Sequence, residues 1–251
     1  WDRAEAAVAG QPEVLERVKI ARLCHEYSWI EQNRFKGDVL YDFDHANFTV
    51  TPRPAFQERV QSFFEMARKG NVKWINEGRV ALDAYAQDLN VALKGGKQVL
   101  TPMEPVALNN PKQGIAFQAY EGGWNSLPDV AGMTPTAEGI ARRVHHGVFP
   151  GVEAFALRFA GYFKAPQDGI YTFSIGSNDG SRLTIGTEVI DNDGLHALEE
   201  RSAQVALREG FHPIIVDYFQ AGAAKDLYVR YDGPGITNRA IPPSAYWHEG
   251  K

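Results

Sequence analysis

The sequence predicts an α+β chain in which an N-terminal helical bundle is followed by a mostly antiparallel β-barrel or sandwich. Three observations carry this expectation. Before residue 95 apolar residues recur at helical spacing, and from Asp168 to Gly194 apolar and polar residues alternate between turn signals. The stretch Gly95 to Gly114 between them is rich in Gly, Pro and Asn and has no helical period. The expected division is a helical domain over 1–95, a linker over 96–113 and a β domain over 114–251.

Composition bounds the function. The chain has 251 residues, 44% hydrophobic and 23% charged, which is enough to bury a proper core. A net charge of -5 and a pI near 5.8 leave no basic stripe for a phosphate backbone, so nucleic acid is not an expected partner. No apolar run approaches the ~20 residues a membrane-spanning helix needs. The opening WDRAEAAVAG reads as the middle of an amphipathic helix, so a fragment of a longer polypeptide is expected. The single cysteine, Cys24, excludes an internal disulfide and any metal site built on paired cysteines. It shares a helical face with Ile20, Leu23, Tyr27 and Ile30 and is expected to be buried. Adjacent His25 points about 100° away, so no thiol–imidazole pair is expected.

The helices follow in order. Pro12 suits the first turn of the long helix PEVLERVKIARLCHEYSWIEQN. Lys36 to Pro54 is polar and aromatic and reads as a long connection; its Asn47-Phe48-Thr49 sequon matters only in a eukaryotic secretory cell. Phe56, Val60, Phe63, Phe64 and Ala67 form one helical stripe; Leu82, Tyr85, Ala86, Leu89 and Leu93 form a second. Asn76 is a candidate cap for the helix that Gly95 and Gly96 would end. Beyond it, Leu100, Met103, Val106 and Leu108 are apolar enough to hold the linker against a surface.

In the C-terminal half, Ile170, Tyr171, Phe173 and Ile175 precede Asn178-Asp179-Gly180, and Leu183 and Ile185 resume the alternation. That is the pattern of a hairpin with an Asp-Gly turn. Five blocks occur in order: YEGGWNSLPD (120–129), FALRFAGYFKAPQDGIYTF (155–173), SNDGSRL (177–183), LHALEERSAQVALREGFHPIIVDYFQ (195–220) and YDGPG (231–235). Together they closely resemble the protective-antigen fourteen-kilodalton domain, the PA14 domain, over about half the chain. The resemblance implies a β fold of that type in a secreted, periplasmic or cell-surface bacterial protein. It does not fix an activity, because the family occurs in glycosidases, glycosyltransferases, adhesins and toxins. The helical part resembles the C-terminal segment of a bacterial family of unassigned function that sits behind a glycosidase-like barrel, on RVKIARLCHEYSWIE (17–31) and FFEMARKGNVKWINEG (63–78). This second resemblance implies a missing N-terminal catalytic-like domain in the same polypeptide.

In the calcium-dependent lectin branch of the PA14 family, two consecutive aspartates joined by a cis peptide hold Ca²⁺, which binds sugar hydroxyls with help from an asparagine in a later loop. Here Asn178 stands at the first aspartate position, and the later loop, FQAGAAKD (219–226), has Lys225 and no asparagine. Losing a carboxylate removes charge on which calcium affinity depends. No cofactor is therefore expected, with Asn178 and Asp179 the only calcium candidates. Asp191-Asn192-Asp193-Gly194 is half of a calcium-loop motif and reads as a turn whose side chains bond their own backbone.

The seven histidines lack a zinc pattern, and no nucleophile elbow, phosphate-binding loop or dinucleotide motif occurs. Glu199 and Glu200 are sequence neighbours and would not face each other across a sugar as hydrolysis requires. Trp124 and Trp247 fall in blocks expected to pack the fold. The candidate carbohydrate-binding residues are therefore Asp129, Asn178, Asp179, Gln220 and Lys225, and the candidate partner is a glycan or polysaccharide. The expected role is a noncatalytic carbohydrate-associated module of a larger glycoside hydrolase-like protein. The alternative is a structural module that shields or orients the parent's catalytic domain without binding sugar.

Overall fold

The computed structural model describes residues 1–34, 37–75, 80–93, 96–222 and 224–250. They form two compact units, Trp1–Asp42 with Val50–Gln98, and Phe43–Thr49 with Val99–Lys251.

The first unit is helical: α1 (Asp2–Ala7), α2 (Pro12–Asn33), α3 (Gly37–Leu40), α4 (Pro54–Lys69) and α5 (Leu82–Leu93). Proline opens both α2 and α4, where its missing N–H has no intrahelical partner to lose. The predicted stripe on α4 is the buried one, all five of its residues facing inward. Leu82 and Tyr85 of α5 are buried too, and the Tyr85 ring packs edge-on against Tyr27 and Phe63. The expected cap Asn76 and terminator Gly95 lie outside the described residues.

Two expectations fail here. Cys24 is exposed: the inward face of α2 keeps Leu23 and Ile30 of the apolar reading but takes Glu26 as its third buried residue in place of Cys24. The connection from Lys36 to Pro54 contains a hairpin, β1 (Tyr41–Asp44) and β2 (Thr49–Pro52), which joins β3 (Gln98–Val99) in a three-stranded sheet. Asp44 stabilises the turn by accepting the Asn47 N–H at 3.1 Å and its side-chain amide at 2.8 Å.

Glu26 displaces the apolar expectation by chemistry. It is 8% exposed and accepts from Arg22 and Arg59 at 2.6 Å each, while Arg59 stacks over Trp29 at 3.7 Å. Burial pushes the Glu26 carboxyl up, but hydrogen bonds from Arg59 and Arg22 outweigh it and leave the group below its ordinary value. Glu26→Gln should destabilise the helical unit by about 2–3 kcal/mol in urea unfolding, less than a fully buried pair because both arginines keep some solvent. A depressed folded-state value means the contribution is complete above the unfolded value of about 4.3 and is lost as pH falls through the folded one. The variant should therefore lack the wild type's acid-side loss; an identical pH profile would refute this account.

The second unit holds β4 (Pro111–Gln113), β5 (Ile115–Glu121), β6 (Ala137–Ala141), β7 (Phe155–Ala165), β8 (Gly169–Asn178) and β9 (Ser181–Ile185). It continues with β10 (Glu188–Asn192), β11 (Glu199–Leu207), β12 (Gly210–Gln220), β13 (Asp226–Gly233), β14 (Ile236–Ala240) and β15 (Tyr246–Glu249). An eight-stranded sheet runs β10-β9-β12-β7-β15-β4, with β5 pairing both β7 and β6. A four-stranded sheet runs β11-β8-β13-β14. The two enclose one core, with Phe163 of β7 meeting Phe173 of β8 at 5.1 Å and Tyr231 of β13 at 5.5 Å. The unit is an antiparallel sandwich, and the barrel alternative is corrected: no sheet closes on itself among the described residues.

A second correction bears on the site. β8 and β9 are not partners in a hairpin. β8 pairs with β11 and β13, whereas β9 pairs with β10 and β12 in the other sheet. Asp179-Gly180 is thus a corner that carries the chain between sheets. In the stretch read as a linker, the Met103 N–H donates to Ala206 O at 2.9 Å and the Val106 N–H to Phe211 O at 2.8 Å.

Candidate functional site

The corner at Asn178-Asp179-Gly180 and the loops beside it form one end of the sandwich. The Asn178–Asp179 peptide bond is cis, a point the sequence leaves open. Ser177 and Ser181, on opposite sides of the corner, hold their hydroxyls 2.7 Å apart, and Asn192 donates to Ser177 Oγ at 3.1 Å. Gly180 is required by space: a β-carbon there would sit 2.5 Å from Phe219 and 2.7 Å from the Gly194 nitrogen.

The β12–β13 loop closes against this corner. The Ala221 N–H donates to Asp179 Oδ2 at 2.9 Å, and the Phe219 N–H to Gly180 O at 2.9 Å. The Tyr218 hydroxyl lies 2.7 Å from Asn178 O and 2.6 Å from Gln220 Oε1, both acceptors for its single proton. Burial, then the negative charges of Asp179 and Asp226, push that phenol well above its ordinary value, so the proton stays.

The five sequence-predicted residues are not equivalent. Asn178 is half-buried and Asp179 is 9% exposed, side by side at the corner. Gln220 is fully buried; its Nε2 donates to Gly222 O and Ala224 O, so the side chain shapes the loop and does not face a ligand. Lys225 donates to Val152 O at 2.6 Å and lies over the Phe155 ring, tying the loop to the segment before β7. Asp129 is exposed in the β5–β6 connection and accepts the Ala131 N–H at 3.0 Å.

Sequence reasoning missed Asp193 and Asp226. Asp193 accepts the Leu127 N–H and the Gly194 N–H, both at 2.7 Å, and so binds the β5–β6 connection to the turn that packs on Gly180. The half-motif around it showed a turn but not its distant partner. Asp226 pairs in register with Asn178, which only the β8–β13 ladder reveals. Trp124 packs half-buried against Tyr120, Ala156 and Phe219, and Trp247 donates its indole N–H to Ser244 O at 3.0 Å. His212 is a buried structural group, its Nε2 bonded to Arg208 O at 2.8 Å, with burial holding it below its ordinary value.

Calcium takes six to eight oxygens, several of them anionic for useful affinity. At the corner itself the Asp179 carboxylate already accepts the Ala221 N–H, and an amide, Asn178, stands where the lectin branch has a second carboxylate. Among the described residues no group of three or more His, Cys, Asp or Glu side chains is placed to hold a metal ion. The corner thus differs from the paired-aspartate site of the lectin branch by one charge, at Asn178.

The architecture is a two-sheet antiparallel sandwich with the Asn178-Asp179 corner and its neighbouring loops at one end. Residues 150–245 match the family described as the PA14 domain. Among solved structures, the chain is similar to the PA14 domain of the antifreeze protein MpAFP at 16% identity, covering 59% of this chain and 97% of that one, with a TM-score of 0.48. It is also similar to a PA14 sugar-binding domain from an RTX adhesin, at 16% identity over 55% of this chain and 99% of that one, TM-score 0.47. A third is the epithelial adhesin 9 A domain from Candida glabrata in complex with Galb1-3GlcNAc, at 13% identity over 59% and 96%, TM-score 0.46. No curated protein sequence matches the chain. No helix among the described residues is long and apolar enough to cross a membrane.

Proposed function

We propose that this chain is a noncatalytic carbohydrate-binding module of a larger secreted or cell-surface bacterial polypeptide, with a glycoside hydrolase-like region elsewhere in that polypeptide. The observation that carries the reading is the PA14 match over residues 150–245 together with the loop-built end at Asn178-Asp179. The binding surface is the corner and its neighbours, with Asp179 and the Asn178 amide as hydroxyl partners and exposed Asp129 at the rim. Binding is independent of calcium, because the donor set supplies one carboxylate where the lectin mechanism uses two.

A glycan and polysaccharide screen on the whole chain, run with calcium and with chelator, tests this. At least one glycan should bind equally in both buffers, and Asp179→Asn, which keeps an oxygen for the Ala221 N–H, should weaken it about tenfold, or ~1.4 kcal/mol. Loss of binding on chelation would restore the metal mechanism.

One observation favours the structural alternative: Asp179, Gln220 and Lys225 each already hydrogen-bond within the protein. Absence of glycan binding in either buffer would select that reading, in which the module shields or orients its parent's catalytic region.

A further inference from the structure

A cleft of about 310 Å³ opens in the helical unit between α2 and α4, with Glu5 of α1 in its lining. Lys19, Arg22, Leu23 and Glu26 line it from α2 at positions i, i+3, i+4 and i+7. Arg59, Ser62, Phe63 and Met66 repeat that spacing on α4, so each helix contributes one face. Glu26 pairs with Arg59 at 2.6 Å and Glu16 with Lys69 at 3.2 Å, which makes the two helices antiparallel. The Glu26 bridge closes one end of the cleft. Toward the other, a β-carbon at Gly70 would touch Ile20 at 3.4 Å, so the helices are close there as well.

Charge around the cleft balances: Lys19, Arg22 and Arg59 stand against Glu5, Glu26 and Asp2, the last pairing with Arg22 from outside the lining. Hydrogen-bonding capacity does not balance. Both Glu26 oxygens are taken by the arginine Nε atoms, and Arg22 Nη1 serves Asp2 and Glu5. Arg22 Nη2, both Nη atoms of Arg59, Lys19 Nζ and the Ser62 hydroxyl have no partner among the described residues. Against these donors, Glu5 Oε2 is the one unspent oxygen of a described lining carboxylate. Arg59 stacks over Trp29 at 3.7 Å, which fixes the plane of its guanidinium.

Surplus donors in a charge-balanced site fit one monoanion with paired acceptor oxygens, a carboxylate, which a guanidinium fork takes bidentately. A phosphate dianion would find too few uncompensated cations. Leu23 and Phe63 are buried and Met66 is half-buried, so the remaining wall suits an apolar body. The volume lies at the lower end of the ~300–1,000 Å³ usual for small-molecule pockets, which limits that body to one ring or a short chain.

We propose that this cleft binds a small monocarboxylate with an aliphatic or aromatic body, its carboxylate held by Lys19 and Arg59 and its body against Leu23, Phe63 and Met66. The site lies wholly within the helical unit, so it stands or falls independently of the glycan reading. The test is calorimetric titration of the whole protein with hexanoate and benzoate, with hexanol and benzyl alcohol as their neutral isosteres, and with inorganic phosphate. Lys19→Met removes the ammonium and keeps an unbranched side chain, and Ser62→Trp fills the cleft from an exposed position. Circular dichroism and the Tm check each fold.

At least one carboxylate should bind wild type, and its alcohol at least tenfold more weakly. Lys19→Met should weaken the carboxylate about tenfold, the usual worth of a hydrogen bond to a charged group, and leave the alcohol unchanged. Ser62→Trp should abolish both. Carboxylate affinity unaltered in Ser62→Trp, or in Lys19→Met should the first variant misfold, overturns the site. Loss in Ser62→Trp with Lys19→Met at wild-type affinity keeps the cleft and overturns the part given to Lys19. An alcohol as tight as its acid, or phosphate tighter than either carboxylate, overturns the ligand class, and no carboxylate binding to wild type overturns the whole proposal.

Discussion

Phe163→Ala is expected to lower the unfolding free energy of the β unit by about 3–5 kcal/mol, the cost of deleting a buried aromatic ring and leaving its cavity. Phe163 is fully buried and contributes from the eight-stranded sheet to a group whose other members belong to the four-stranded one. Its ring lies 6.0 Å from Tyr171, 5.1 Å from Phe173 and 5.5 Å from Tyr231, in edge-on geometry each time. Such pairs add to area burial, so the loss falls on the inter-sheet contact itself. The urea midpoint should drop with little change in slope. A loss below about 1 kcal/mol would mean that the two sheets are not joined through this ring.

Gly180→Ala is the larger test of the site. The added carbon would meet the Gly194 nitrogen at 2.7 Å and its carbonyl oxygen at 2.8 Å. Main-chain atoms cannot rotate aside, so either the corner or the Asp193-Gly194 turn must move. A destabilisation near the upper end of the ~1–3 kcal/mol overpacking range is expected. Because the Gly180 carbonyl accepts the Phe219 N–H and Asp179 accepts the Ala221 N–H, the shift should reach the β12–β13 loop. Glycan affinity should therefore fall with stability, and a Gly180→Ala protein with wild-type Tm and binding would show that the loops are not so tightly joined.

The helical stripe on α4 was legible because a period of 3.6 fixes which residues share a face, and Pro12 marks the start of α2 by its own geometry. The face of α2 was misread because apolar spacing cannot anticipate a glutamate buried between two arginines from different helices. The β1–β2 hairpin escaped notice because its strands are four residues each, too short for alternation to stand out.

At the candidate site the sequence located a turn at Asn178-Asp179-Gly180, but read it as a hairpin and did not show its neighbours. Gln220 looked like a loop ligand because its polarity is visible and its burial is not. Asp193 and Leu127 are joined across 66 positions by a 2.7 Å hydrogen bond that no local pattern records.

By itself the sequence determined the α+β order, the β character of the C-terminal half and the place of the Asp-Gly turn, since each depends on local periodicity and backbone preference. The tertiary structure alone decided that this turn joins two sheets, which strands pair across the core, and which polar side chains still face solvent. Those outcomes depend on contacts between residues far apart in the chain, and alternation within a strand is the same whichever sheet the strand joins.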